Sequence, residues 1–232
     1  MEIQEFERHR KSVTTRVGQL SYVDVGSGPV ALFLHGVTFN SHIWRRAIGA
    51  LAGERRLIAV DLPAHGQSVS SPHQDLSLTA HAELLDAFLE QLGVDEVDLV
   101  GNDTGGALCQ VFAVRYPDRV RTLVLTNCDA DDNLPPAEFS DGKKLAEAGQ
   151  LGALLGQMGQ NPALARTAER GYNLAFEKPD AVSDEDVRVF SGPFAEPARA
   201  RELDRFALSI RVDDLLAIKP GLADITAPTL IV

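Results

Sequence analysis

Gly101-Asn102-Asp103-Thr104-Gly105-Gly106 follows directly on the apolar run at residues 97–100 and precedes a mostly apolar stretch carrying Ala107, Leu108, Val111, Phe112 and Val114. A strand that turns sharply into a helix holds its apex residue up into a cleft, and glycines flank the apex because side chains would collide there. This stretch has the form of a nucleophile elbow with Asp103 at the apex, where serine is the commoner residue. A serine hydroxyl must lose its proton before it attacks. A carboxylate, with an ordinary pKa of about 3.9, is already ionised at neutral pH. No histidine lies beyond His81.

The elements that must hold this turn are legible as short apolar runs alternating with helical spacing as far as residue 128. Residues 12–17 and 20–25 read as an antiparallel pair joined near Gly18. Val30–Leu34 (VALFL) and residues 57–60 (LIAV) are continuous apolar strands, of the kind a parallel sheet buries on both faces. Helical spacing covers residues 41–51. It returns from Ser77, where Leu78, His81, Leu84, Leu85, Phe88 and Leu92 share a face that Gly93 ends. Another apolar helix follows the elbow and stops near Tyr116-Pro117, and residues 122–125 form the next strand. From Asp129 to about Pro220 the pattern is helical or irregular, and Thr229 opens one more strand. The expected class is α/β, a mostly parallel sheet flanked by helices. The core is expected over residues 1–130, an inserted helical cap over 131–220, and a return to the core over 221–232.

Composition narrows the function classes. At 44% hydrophobic and 24% charged residues over 232 positions, the chain can bury a full core. Its formal net charge of -11 opposes nucleic acid or an anionic membrane surface as partner. The first eleven residues are charged throughout, and no run approaches 18 apolar residues, so a cytoplasmic protein is expected. Cys109 and Cys128 form no Cys-x-x-Cys or Cys/His cluster and read as small buried apolar residues. The run Asp129-Ala130-Asp131-Asp132-Asn133 lacks the glycine and glutamate of a calcium loop and reads as a solvated acidic loop. No metal and no cofactor are implied. Arg45-Arg46 and Arg55-Arg56 read as solvated surface.

Three motifs in order, a strand ending in His35-Gly36, then Asp61-Leu62-Pro63-Ala64-His65-Gly66-Gln67-Ser68, then the Gly101–Gly106 elbow with a helical segment after the next strand, resemble the α/β-hydrolase fold. The resemblance covers essentially the whole chain, and within the fold it is nearest the haloalkane dehalogenase branch. It implies Asp103 as nucleophile, forming an alkyl ester that a histidine-activated water hydrolyses, with the backbone N–H groups of Val37 and Thr104 forming an oxyanion hole. His35, Gly36, Gly101, Asn102 and Gly105 support the motifs, His35 in a structural part, while His42 and His65 read as loop residues near the cleft. Phe39, Asn127, Phe176, Phe190 and Phe194 are candidates to line the pocket of a small hydrophobic organic substrate. In some dehalogenases the catalytic acid ends the strand after the elbow helix, a place held here by Asn127. In the other arrangement acid and histidine follow the next strand, which would put both beyond residue 232. The chain is thus expected to be C-terminally incomplete, lacking about 50 to 70 residues.

The chain also departs from the branch. Thr104 stands where an indole would grip halide, Trp44 is the only tryptophan, and Val37 replaces a halide-binding asparagine. Tyr172 is the sole tyrosine after residue 129, where epoxide hydrolases use a pair, and Gly105 and Gly106 replace the arginines of fluoroacetate-type enzymes. Three readings therefore stand: a dehalogenase-like hydrolase, an epoxide or other ester-forming hydrolase of the same fold, and a binding or interaction module without catalysis.

Overall fold

A computed structural model describes residues 1–232 apart from 17, 168–171, 173, 174, 179 and 180. Seven strands, β1 (Arg10–Thr14), β2 (Gln19–Val25), β3 (Val30–Leu34), β4 (Arg56–Val60), β5 (Val97–Asp103), β6 (Val120–Cys128) and β7 (Thr229–Ile231), form one sheet in the order β1-β2-β4-β3-β5-β6-β7. The first two pairings are antiparallel and the remaining four are parallel. This is the α/β arrangement expected, with β3 and β5 adjacent near the middle of the sheet. The strand expected at 12–17 begins earlier, at Arg10, and ends at Thr14; Val17 lies outside the described residues.

The continuous apolar runs are explained by burial on both faces. In β3 and β4, Leu32, Leu34, Ile58 and Val60 face one core, while Ala31, Phe33, Leu57 and Ala59 face a second core closed by Phe6 and Ile48. Phe6 lies on α1 (Ile3–Arg8) and Ile48 on α2 (Arg45–Leu51). The helical stretch expected at 41–51 starts as a 3-10 turn, Ser41–Trp44, before α2. Helix α3 (Leu78–Gln91) is capped by the Ser77 hydroxyl, which accepts from Ala80 N at 3.2 Å, and buries Leu84, Leu85 and Phe88. Helix α4 (Thr104–Arg115) follows the elbow.

Between β6 and β7 the described residues form helices and turns only. These include α5 (Ser140–Glu147), α6 (Leu151–Gln160), α7 (Asp184–Ser191), α8 (Pro197–Ser209) and α9 (Val212–Ile218). They dock by polar contacts to loop backbone as well as by burial. Arg199 donates to the carbonyls of Ser68 (2.8 Å) and Gly66 (3.0 Å), Arg205 donates to that of Gln74 (2.8 Å), and Asp214 accepts from Leu78 N and Thr79 Oγ1. The arginines read as free surface are paired. Arg45 binds Asp186, Arg55 binds Asp98 and Arg56 binds Asp24, because each carboxylate is largely buried and needs a counter-charge; Arg46 and Arg55 are exposed. Among the described residues no helix is long and apolar enough to cross a membrane.

The close approach of α4 to β3 requires glycine at 105. A Cβ there would come within 2.5 Å of the carbonyl oxygens of His35 and Leu34. Gly105→Ala is therefore expected to destabilise the protein by about 1–3 kcal/mol in urea denaturation. Gly192→Ala, in open space at a right-handed helical position, should be neutral or stabilising by under about 1 kcal/mol.

Candidate active site

Asp103 ends β5 and caps α4 with φ 56° and ψ -129°, a conformation that costs an L-residue on the order of 1–3 kcal/mol. The strain is offset by a concentrated grip on one carboxylate oxygen. Oδ1 accepts from Thr104 N at 2.5 Å, Thr104 Oγ1 at 2.9 Å and Val37 N at 2.9 Å. Among the described residues none donates to Oδ2. A Cβ on Gly36 would collide with Asp103 Oδ1, so the bare backbone there lets the turn after β3 reach the carboxylate. Burial pushes the Asp103 carboxyl up from its ordinary range, against the pull of its three donors.

Asp103 opens on a cavity of about 30 Å³ walled by Val37 and Thr104 on the sheet side and by Leu134, Pro135, Pro136 and Phe139, with Ala207 and Ile210, on the other. That volume holds a water-sized molecule.

Asp129 lines the same cavity, which corrects its reading as part of a solvated loop: it is 7% exposed. The cause is a bulge. Asn102 pairs with Thr126 but Asp103 pairs with Cys128, so Asn127, at φ 40°, is left out of register and exposed. Gln110 on α4 then fixes the turn by donating to the Asp129 carbonyl at 2.7 Å. The Asp129 carboxyl hydrogen-bonds the Thr104 side chain and is pushed up to about 7, first by burial and then by the charge of Asp103. Two carboxyls thus flank one threonine hydroxyl. Asp103, with its three donors, is the better place for the negative charge, and Asp129 for the proton.

The histidines lie elsewhere. His35 shares its ring with the fold: Nε2 accepts from Leu62 N at 2.9 Å, leaving Nδ1 protonated to donate to the Gly36 carbonyl at 2.8 Å. It ties the end of β3 to the end of β4 and stays neutral, since burial lowers its pKa. His65 lies in the loop after β4, as expected, but away from the cavity at Asp103 and fully buried, its ring against Phe206 and His35 and its pKa well below the ordinary value through burial. His42 bonds Asp186 at 2.9 Å. None of these borders the cavity at Asp103.

The mostly parallel sheet flanked by helices agrees with the fold of the known proteins this chain is similar to. Residues 29–167 match the family described as alpha/beta hydrolase fold. The chain belongs to that family. It is 33% identical over 202 residues to a haloalkane dehalogenase of Mesorhizobium japonicum, covering 84% of this chain and 62% of the relative. It is 30% identical over 213 residues to epoxide hydrolase 2 of Siraitia grosvenorii, covering 79% of this chain and 67% of the relative. The crystal structure of the haloalkane dehalogenase DatA from Agrobacterium tumefaciens superposes with a TM-score of 0.72 at 26% identity, over 96% of this chain and 77% of that one. Within the α/β-hydrolases the chain is haloalkane dehalogenase-like, and it spans about three fifths of the length of the curated dehalogenases it matches.

Of the residues read as site candidates, the fold brings Asp103, Val37, Thr104 and Gly36 together, with Gly101 and Gly105 packed behind them. Asn102 turns away and ties β5 to β6 through the Thr126 carbonyl at 3.1 Å. Phe39, Phe176 and Phe190 do not line the cavity. They pack on one another and on Tyr172, with ring centroids 5.2 to 6.2 Å apart, because apolar rings bury more surface against each other than against a water-sized void. Phe194 packs edge-on to His65 at 6.3 Å, and Asn127 is expelled by the bulge. Asp129 is the site residue that motif spacing does not reveal.

Because the folded-state pKa of Asp129 lies above its unfolded value, its proton stabilises the fold fully below about pH 4, and that stabilisation is lost as pH rises through 7. Asp129→Asn should therefore raise the urea midpoint over wild type by more at pH 8 than at pH 4. A gap that narrows toward pH 8 would contradict the buried, protonated carboxyl.

Proposed function

We propose that this α/β-hydrolase acts through a covalent ester on Asp103. Oδ2 attacks an electrophilic carbon of a small organic substrate with an apolar frame, and the bond to the leaving group breaks as the ester forms. The observation that carries the reading is the division of labour within one carboxylate. Oδ1 is held by Val37 N and Thr104 N, while Oδ2 has no donor among the described residues. In the ester, Oδ1 becomes the carbonyl oxygen, already seated between donors that stabilise the charge it gains when water adds; each such donor is typically worth on the order of 100-fold in rate. Hydrolysis also needs a base to activate that water, and no histidine borders the cavity.

In this reading residues 1–130 and 221–232 form the core that presents Asp103, and 131–220 form a cap whose residues Leu134 to Phe139 and Ala207 with Ile210 close the cavity. The likeness to dehalogenases and epoxide hydrolases supports small electrophiles as substrates, since both names denote attack at carbon. The walls offer no indole N–H to a halide, so leaving-group chemistry is decided by the other polar group of the cavity.

The test is intact-protein mass spectrometry after incubation with a primary alkyl bromide or a terminal epoxide. One adduct per chain is expected, forming at least about 1,000-fold more slowly in Asp103→Asn. Equal adduct formation by wild type and the variant would exclude Asp103 as nucleophile.

A further inference from the structure

We infer that Asp129 is the acid that protonates a leaving oxygen, and that the site is built for strained cyclic ethers, epoxides, in preference to halides. The inference rests on the proposed Asp103 ester. Three observations carry it: Asp129 borders the same small cavity as the nucleophile, the Thr104 hydroxyl lies between the two carboxyls, and the other walls are apolar apart from Thr104 itself. Tyr172, the one tyrosine after residue 129, is not available for this task. Its hydroxyl is tied to Ser191 Oγ at 2.8 Å and to the Thr38 carbonyl at 3.3 Å, and its ring stacks on Phe39 outside the cavity.

The step balances. Oδ2 of Asp103 bonds to a ring carbon, the ring C–O bond breaks with its electron pair on oxygen, and that oxygen takes the proton of Asp129. One negative charge, on Asp103 before, is on Asp129 after. The coupling drives the transfer in the right direction. The Asp103 charge helps hold the proton on Asp129; esterification removes that charge, and Asp129 becomes a stronger acid as the departing oxygen becomes basic. When water cleaves the ester, the diol leaves, Asp103 regains its charge and Asp129 recovers a proton. The titratable groups facing Asp129 are Asp103 and the Cys128 thiol, which burial pushes up and keeps neutral.

The experiment follows adduct formation by the protein with 1,2-epoxybutane and with 1-bromobutane, by intact mass, from pH 5 to pH 9. In wild type the epoxide rate should fall above about pH 7, whereas the bromide rate should not. In Asp129→Asn the ratio of epoxide to bromide rates should drop by about 100-fold or more. An unchanged ratio, or an epoxide rate that does not fall above pH 7, would overturn the role of Asp129 while leaving the ester intact. Loss of both adducts in Asp129→Asn would make Asp129 a structural residue and overturn it too. Equal labelling of Asp103→Asn with either reagent would instead refute the nucleophile itself, and the inference with it.

Discussion

The structure depends on holding a carboxylate at the tip of a turn that an L-residue adopts only at a cost. Asp103 sits at φ 56° because β5 must end and α4 begin within one residue, with α4 pressed against the end of β3 through Gly105. What offsets the strain is also what the proposed chemistry would use: three donors converge on Oδ1, two of them backbone groups fixed by neighbouring elements. Remove the close packing and the donors lose their aim. The His35 ring, bonded to both Gly36 and Leu62, keeps the loop carrying Val37 N in place from below.

Above the carboxylate the site is an electrostatic pair sharing one hydroxyl. Burial makes the charged form of each carboxyl costly, and proximity makes two charges costlier still, so the pair favours a single ionised state. Hydrogen bonding decides which member carries it. The apolar walls strengthen this preference by leaving room for only a water-sized molecule beside the two carboxyls.

Most of the architecture was legible in the sequence because it rests on local patterns. Val30–Leu34 announced a strand buried on both faces, Ser77 announced the start of α3, and the glycines around Asp103 announced a turn where backbones touch. Val37 and Thr104 could be placed because donors next to fixed motifs move with them. Asp129 could not be read, because its position follows from a one-residue bulge at Asn127, and a bulge is a compromise between two strands that neither strand's pattern records. The phenylalanines misled for a related reason. Hydrophobicity says that Phe39, Phe176 and Phe190 are buried, but only tertiary packing says that they bury one another. Arg45, Arg55 and Arg56 found buried carboxylates more than a dozen residues away in sequence, which adjacent charges in a sequence cannot show.

The most direct test of the account is to treat the alkylated protein with hydroxylamine and map the product by peptide mass spectrometry. An aspartyl ester loses its alkyl group to this nucleophile and leaves a hydroxamate, whereas alkylated cysteine or histidine is inert to it. The account predicts a hydroxamate at Asp103 alone. An alkyl group that survives hydroxylamine, on Cys109, Cys128 or a histidine, would contradict it.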